Sequence, residues 1–282
     1  MQFTGSFKAR GAQNLLRSHL ERDAMRAAGI TIASGGNAGL ACAWSARSAG
    51  IPATIFVPVT APPVKVARLR TFGADVRLIG TQYADALAAS QEFAAQTGAL
   101  ASHAYDHPLI AAGAGTLLDE IRQHVPNLDT VVVAVGGGGL FSGIAAAAAH
   151  HHIRVIAVEP ERCCALRAAL DAGRPVDVQI DSIAADALGA RRVSGMALTA
   201  AQTGDVRSVL VSDEQIINTR QHLWETRRIA VEHGAATALA ALHPFGDRPP
   251  AYPMEAGERI VVVLCGANTD PGTLQPHSED PI

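Results

Sequence analysis

Thr130-Val131-Val132-Val133-Ala134-Val135-Gly136-Gly137-Gly138-Gly139-Leu140 is the stretch whose reading decides the fold. The run from Thr130 to Val135 is apolar and mostly β-branched, which suits a strand buried on both faces of a parallel sheet. The small apolar residues from Leu140 to Ala149 read as the helix that follows. Four glycines between them let main-chain N–H groups wrap closely around an anion, and the positive end of the helix dipole adds to the attraction. The dinucleotide pattern Gly-x-Gly-x-x-Gly does not fit. Started at Gly136 it needs glycine where Phe141 stands, and started at Gly137 it needs glycine at Ser142. No Gly-Lys-Ser/Thr follows, so a nucleoside-triphosphate loop fails too. A compact monophosphate fits better, the alternative being a tight turn without a ligand.

Upstream, the pattern repeats. Ile30 to Ala33 reads as a strand, Ser34-Gly35-Gly36-Asn37-Ala38-Gly39 as a glycine-rich turn, and Leu40 to Ala49 as a helix. This turn is either a second anion site or an ordinary strand-to-helix connection. Strands at 53–57, 75–79 and 99–104 alternate with helices at 62–72 and 83–96, so residues 29–107 suit a small parallel-sheet unit. Lys65 and Arg68 read as the solvated face of one of those helices. Downstream, helix 108–124 precedes the central strand. Strands at 154–158, 209–211 and 260–264 and a helix at 214–230, capped by Asp213, complete the alternation. The tail from Pro271 to Ile282 reads as polar and loose. At the front, Ser6 is a candidate cap for a helix from Phe7 to Leu20, which places Lys8 in its first turn. There the helix dipole disfavours the ammonium form, as a nucleophilic lysine requires.

Composition narrows the field. Charged residues make up 17% of the chain and the net charge is -3, so nucleic acid and anionic membrane surfaces find no electrostatic partner here. Aromatics at 4% are too few for base-stacking platforms. No apolar run reaches membrane-spanning length, and the first residues lack the pattern of a signal peptide. Cys42, Cys163, Cys164 and Cys265 show no Cys-x-x-Cys spacing, which suits free thiols in a reducing cytoplasm. His150-His151-His152 splay around a helix end rather than converge on a metal.

The segment Thr4-Gly5-Ser6-Phe7-Lys8-Ala9-Arg10-Gly11-Ala12 resembles the cofactor-lysine segment of the serine/threonine dehydratases. These are pyridoxal-phosphate (PLP) enzymes of the tryptophan-synthase-β-like fold type II. The resemblance implies an α/β protein of two parallel-sheet, three-layer domains: 1–28 with 108–282 as the large PLP-binding domain, and 29–107 as the small domain carrying the substrate-carboxylate loop. It implies that Lys8 holds PLP as a Schiff base and later serves as general base. Gly136, Gly137, Gly138 and Gly139 would hold the phosphate, with Phe7 and Leu140 beside the cofactor. Cys265, at the end of the last strand, would meet the pyridine nitrogen. Ser34, Gly35, Gly36, Asn37 and Ala38 would grip the substrate carboxylate, with Asn37 also touching PLP. Racemases of the family tend to carry serine at the position of Gly35, so elimination is favoured.

Ser182 to Leu188 and Glu232-His233-Gly234-Ala235-Ala236 resemble family loops, the second imperfectly. Some relatives bind a divalent cation through a glutamate and an acid six residues on. Here those positions are Glu159 and Ala165, so no metal is expected. The implied activity is conversion of L-serine and/or L-threonine to a 2-oxo acid and ammonia, in a cytoplasmic homodimer. Family members carry a few dozen more residues before this lysine. The alternatives are therefore a weakened PLP-binding remnant, and beside it a serine racemase or a β-replacement synthase of the same fold.

Overall fold

The computed structural model describes residues 2–274. Its first half comprises α1 (Lys8–Leu20), β1 (Ile30–Ala33), α2 (Asn37–Ser48), β2 (Ala53–Val57), α3 (Pro63–Thr71), β3 (Asp75–Leu78), α4 (Tyr83–Thr97), β4 (Leu100–Ala101) and α5 (Pro108–His124). Its second half comprises β5 (Thr130–Ala134), α6 (Gly139–Ala149), β6 (Arg154–Pro160), α7 (Ala165–Ala172), α8 (Ala185–Leu188), α9 (Gly195–Thr203), β7 (Val206–Val211), α10 (Asp213–Arg227), α11 (His233–Ala240) and β8 (Ile260–Val262).

The strands form two parallel sheets, ordered β3-β2-β1-β4 and β7-β6-β5-β8. Each has helices on both faces, because alternate side chains of a strand point to opposite sides. In the second sheet Val131, Val133, Val155 and Ala157 pack under α5, α6, α7 and α9. Val132, Ala134, Ile156 and Val158 pack under α10 and α11. In the first sheet Ile30, Ile32, Ile55 and Val57 meet α1, α2 and α3, while Ala33 and Phe56 meet α4. Helix α1 packs on α5 and on α2, so it belongs to the helical layers of both sheets. Both glycine-rich turns leave the C-terminal end of a strand, β1 or β5, where a doubly wound sheet opens its ligand crevice.

Several local readings change for identifiable reasons. Phe7, not Ser6, precedes α1, because Ser6 is held extended in an antiparallel bridge to Gly266. Ser212, not Asp213, caps α10. Its hydroxyl accepts the Gln215 N–H and Gln215 Oε1 accepts the Ser212 N–H, a reciprocal box that needs Gln or Glu three residues on. Asp213 instead accepts from Ser182 Oγ, the Ile183 N–H and Arg162. Helix α10 ends at Arg227, with Arg228 left-handed after it. The strand expected over 99–104 shrinks to two residues, because a turn begins at His103. Part of the expected loose tail is ordered. Pro271–Leu274 forms a 3-10 turn with Leu274 buried, tied down by Arg220, which donates to the Thr273 carbonyl and hydroxyl. The rest of that tail lies outside the described residues.

The tightest helix contact is α5 on α6. A Cβ added at Gly143 would lie 2.1 Å from the Ala111 carbonyl oxygen, a backbone atom that cannot swing away. Gly143→Val is therefore expected to destabilise the fold by about 1–3 kcal/mol through overpacking. Urea unfolding should show a lower midpoint at an unchanged slope, and an unchanged midpoint would refute the contact.

Candidate active site

Lys8 stands at the first position of α1, and its backbone approach is fixed on both sides. The Phe7 N–H donates to the Cys265 carbonyl (3.0 Å) and the Ala267 N–H to the Gly5 carbonyl (2.8 Å). This antiparallel pairing holds residues 5–7 against the end of β8. The Lys8 Nζ donates to the Ala104 carbonyl (2.5 Å) and lies 4.9 Å from the Phe7 ring centroid. Burial lowers its pKa to about 8, against weaker opposing pulls from Cys265 and Glu232. The direction matches the sequence expectation, but the first cause is loss of water around the ammonium rather than the helix dipole. Burial likewise pushes the Cys265 thiol up to about 12, so it is a neutral group.

The tetraglycine turn joins β5 to α6. Gly138 has φ +92°, and every one of the four glycines has a neighbour where a Cβ would go. At Gly137 the obstacle is the Tyr105 ring, 2.3 Å from the added atom, and at Gly139 it is the Tyr105 backbone, at 2.9 Å. Leu188 blocks Gly136, and Ala197 blocks Gly138. Among the described residues the Gly137 and Gly138 N–H groups have no acceptor. A turn that admits no side chain and keeps free N–H groups at a helix start fits a phosphate. Lys8 belongs to the same neighbourhood, since Ala104 and Tyr105 are consecutive.

The second turn starts α2. Gly36 precedes the helix, and its N–H donates to Ser34 Oγ (3.3 Å). Asn37 is the centre of a half-buried amide network. Its Nδ2 donates to both oxygens of Glu232 (3.0 and 2.9 Å), and its Oδ1 accepts from Asn268 Nδ2 (2.7 Å). Asn268 also donates its main-chain N–H to Glu232 (2.8 Å) and its Nδ2 to the Thr4 carbonyl (2.7 Å). Burial raises the Glu232 pKa, and the bonds from Asn37 and Asn268 oppose the rise.

The face of α3 is not simply solvated. Lys65 pairs with Asp186 (2.5 Å), and Arg68 donates to Asn268 Oδ1 (2.5 Å). Lys65 thus reaches from the first sheet's helices to α8, and Arg68 to the loop after β8. Beside these contacts lies a recess of about 80 Å³ lined by Asp186, Glu232, Gly234 and Asn268, among others. Two larger recesses, beside His222 and His243 and around Arg154, contain none of the site residues expected from the sequence.

The chain thus brings together Lys8, Phe7, Cys265 and Asn37, with the tetraglycine turn joined to them through Ala104 and Tyr105. Sequence reading missed His103, Ala104 and Tyr105, although a turn just before a proline-started helix was a usable signal. It quoted Glu232 without seeing that this residue and Asn268 bind Asn37.

Two parallel sheets, a desolvated lysine amine at the start of α1 and a glycine turn with free N–H groups fit an α/β enzyme of the lysine-anchored, phosphate-holding class. The chain belongs to the pyridoxal-phosphate dependent enzyme family, which residues 1–266 match. It is 34% identical over 280 residues to the L-threonine dehydratase biosynthetic IlvA of Haemophilus influenzae, covering 99% of this chain and 53% of that protein. It is also 34% identical over 275 residues to the serine dehydratase-like protein of Mus musculus, covering 95% of this chain and 83% of that one. The threonine deaminase isoform 2 of Solanum lycopersicum superposes with a TM-score of 0.88 at 28% identity, over 97% of this chain and 78% of that one. The chain therefore spans about half of one of these relatives and most of the others. Its cofactor is PLP, and the buried amine and the free glycine N–H groups fit it.

An aldehyde condenses with a neutral amine, so the association rate of PLP with the apo-protein should climb as pH rises and level off above about 8, where Lys8 loses its proton. Stopped-flow absorbance measures this. A midpoint at the ordinary lysine value of 10.5 would show that Lys8 is not desolvated.

Proposed function

We propose that this chain is a PLP-dependent ammonia-lyase that converts L-serine and/or L-threonine to a 2-oxo acid and ammonia by β-elimination. The observation that carries the reading is the Lys8 amine, drawn down to about 8 and bonded to the residue before the ring that packs on the tetraglycine turn. The serine and threonine dehydratases among its relatives support the substrate class.

Lys8 would anchor the cofactor. Gly136, Gly137, Gly138, Gly139 and Leu140 would hold its phosphate at the start of α6, with Phe7 beside it. The cofactor, when bound, supplies an electron sink for the pair left at Cα. Lys8, as the free amine, would take the Cα proton at Nζ as general base. Ser34, Gly35, Gly36 and Ala38 bind the carboxylate at the start of α2, where N–H groups and dipole favour an anion. Asn37 would touch the cofactor with its amide orientation fixed, because Asn268 donates to its oxygen and Glu232 accepts from its nitrogen. Cys265 would meet the ring nitrogen as a neutral thiol, a weaker partner than a charged one, which would suit rapid loss of a β-leaving group. Gly35 offers no acid or base on the face opposite Lys8.

The two sheets support a division into a large domain, 1–28 with 108–282, and a small domain, 29–107. Four free thiols support a reducing, cytoplasmic setting. A homodimer is the assembly that the family resemblance implies.

Borohydride reduction of the PLP-loaded protein should fix the label on the Lys8 peptide. A label on Lys65, or none, overturns the reading. Lys8→Ala is expected to lower kcat on L-serine by roughly 10²–10⁴-fold. A Cβ at Gly35 would meet only Val57 Cγ1, at 3.4 Å, so a serine side chain fits there. Gly35→Ser is expected to produce D-serine from L-serine, measured by chiral chromatography, and its failure to do so would show that Gly35 does not set the outcome.

A further inference from the structure

His103, between β4 and α5, shapes the two residues that follow it, Ala104 and Tyr105, which link Lys8 to the tetraglycine turn. Its Nδ1 accepts the N–H groups of Tyr105 (3.2 Å) and Asp106 (2.7 Å). The ring does here what an Asn or Asp oxygen does in an Asx turn. Those two N–H groups have no other acceptor among the described residues. The folded turn serves both anchors. Its Ala104 carbonyl accepts from Lys8 Nζ. Its Tyr105 ring packs over Gly137, is held edge-on to His103 at 4.9 Å between centroids, and donates through its hydroxyl to the Arg192 carbonyl (3.2 Å).

We infer that His103 is a positioning residue: its Nδ1 folds the turn so that one carbonyl holds the Lys8 amine and the next residue's ring closes the glycine cradle, and protonation of that nitrogen releases both. The inference rests on the reading of Lys8 and Gly136–139 as the cofactor's anchors.

An Nδ1 that accepts two N–H groups carries no proton, so the bonding assigns the neutral ring with its hydrogen on Nε2. Burial holds His103 below its ordinary 6.5. Lys8 and His107 push the same way and Asp106 pulls against them. Tyr83 and Arg192 stand around Tyr105, whose phenol is itself raised by burial. With the folded value lowered, the turn is intact above the ordinary value of 6.5 and weakens as pH falls below it.

Wild type, His103→Asn and His103→Ala are compared. Asn supplies an acceptor oxygen that does not titrate, and Ala supplies none. In the apo-proteins at neutral pH, amide exchange at Tyr105 and Asp106 is expected to be about tenfold faster in the Ala variant, while the Asn variant stays close to wild type. The PLP dissociation constant should rise about tenfold in the Ala variant, and mild acid should weaken binding more in wild type than in the Asn variant. Thermal melts check that all three fold. If the Ala variant keeps wild-type exchange and affinity, the inference is wrong, and a borohydride label on wild-type Lys8 leaves the site reading standing. Equal acid sensitivity in wild type and the Asn variant overturns the protonation step. No label on wild-type Lys8 brings down both.

Discussion

Two main-chain hydrogen bonds, Phe7 to Cys265 and Ala267 to Gly5, carry the rest of the site. They join residues 5–7 to the segment that follows β8, so the start of α1 is set by that segment rather than by its own cap. No side chain caps α1, and the residue before it is itself helical in conformation. Lys8 and Cys265 therefore cannot shift independently. The junction tolerates no bulk. Gly5 sits at φ +73°, and a Cβ there would lie 2.4 Å from Asn268 Oδ1. One side-chain oxygen thus limits the backbone before Lys8 while its own amide group bonds Asn37.

The same region decides what holds the two sheets in register across the site. The Lys65–Asp186 pair is exposed on both sides and contributes about 0–1 kcal/mol at most. The Glu232 carboxyl is different. It is half-buried and receives two bonds from Asn37 and one from the Asn268 main chain. Hydrogen bonds to a charged group contribute about 1.5–3 kcal/mol each, and loss of a donor leaves part of that carboxylate's desolvation uncompensated. The neutral amides, not the surface ion pair, therefore fix the approach of α2 to α11. They do so without placing a full positive charge beside Lys8, which a lysine or arginine partner would have done.

Much of this was legible in the sequence because it depends on local pattern. The glycine turns after β1 and β5 follow from strand and helix periodicity, and Lys8 follows from its neighbours. What escaped depends on distant contacts. Ser6 looks like a cap until Gly266 takes it into a bridge. Asp213 looks like a cap until Ser212 is seen to have Gln215 at the right spacing. Lys65 and Arg68 look solvated because nothing local shows that Asp186 and Asn268 face them. The low pKa of Lys8 was expected from the helix dipole, a local effect. Burial, a property of the assembled fold, dominates instead. His103 escaped for a related reason: its signal is a side-chain acceptor folding its own turn, and histidine is not a residue from which such a turn is ordinarily read.

Glu159 shows a different use of a strand-to-helix connection at the same end of the second sheet. Its side chain is fully buried at the end of β6, and burial raises its pKa to about 7. Its two oxygens accept the N–H groups of Leu166 (2.7 Å) and Arg167 (2.9 Å) in the first turn of α7. Ala165, beside them, adds no oxygen of its own side chain. The carboxylate is therefore committed to a helix start, whose dipole and N–H groups supply the positive potential that a cation would otherwise bring. Before α6, among the described residues, the Gly137 and Gly138 N–H groups have no acceptor, and glycine contributes no side chain that could turn back to take them. A strand-to-helix connection in this sheet is thus closed where a buried carboxylate reaches the first N–H groups of the helix, and keeps free donors where the turn is glycine alone.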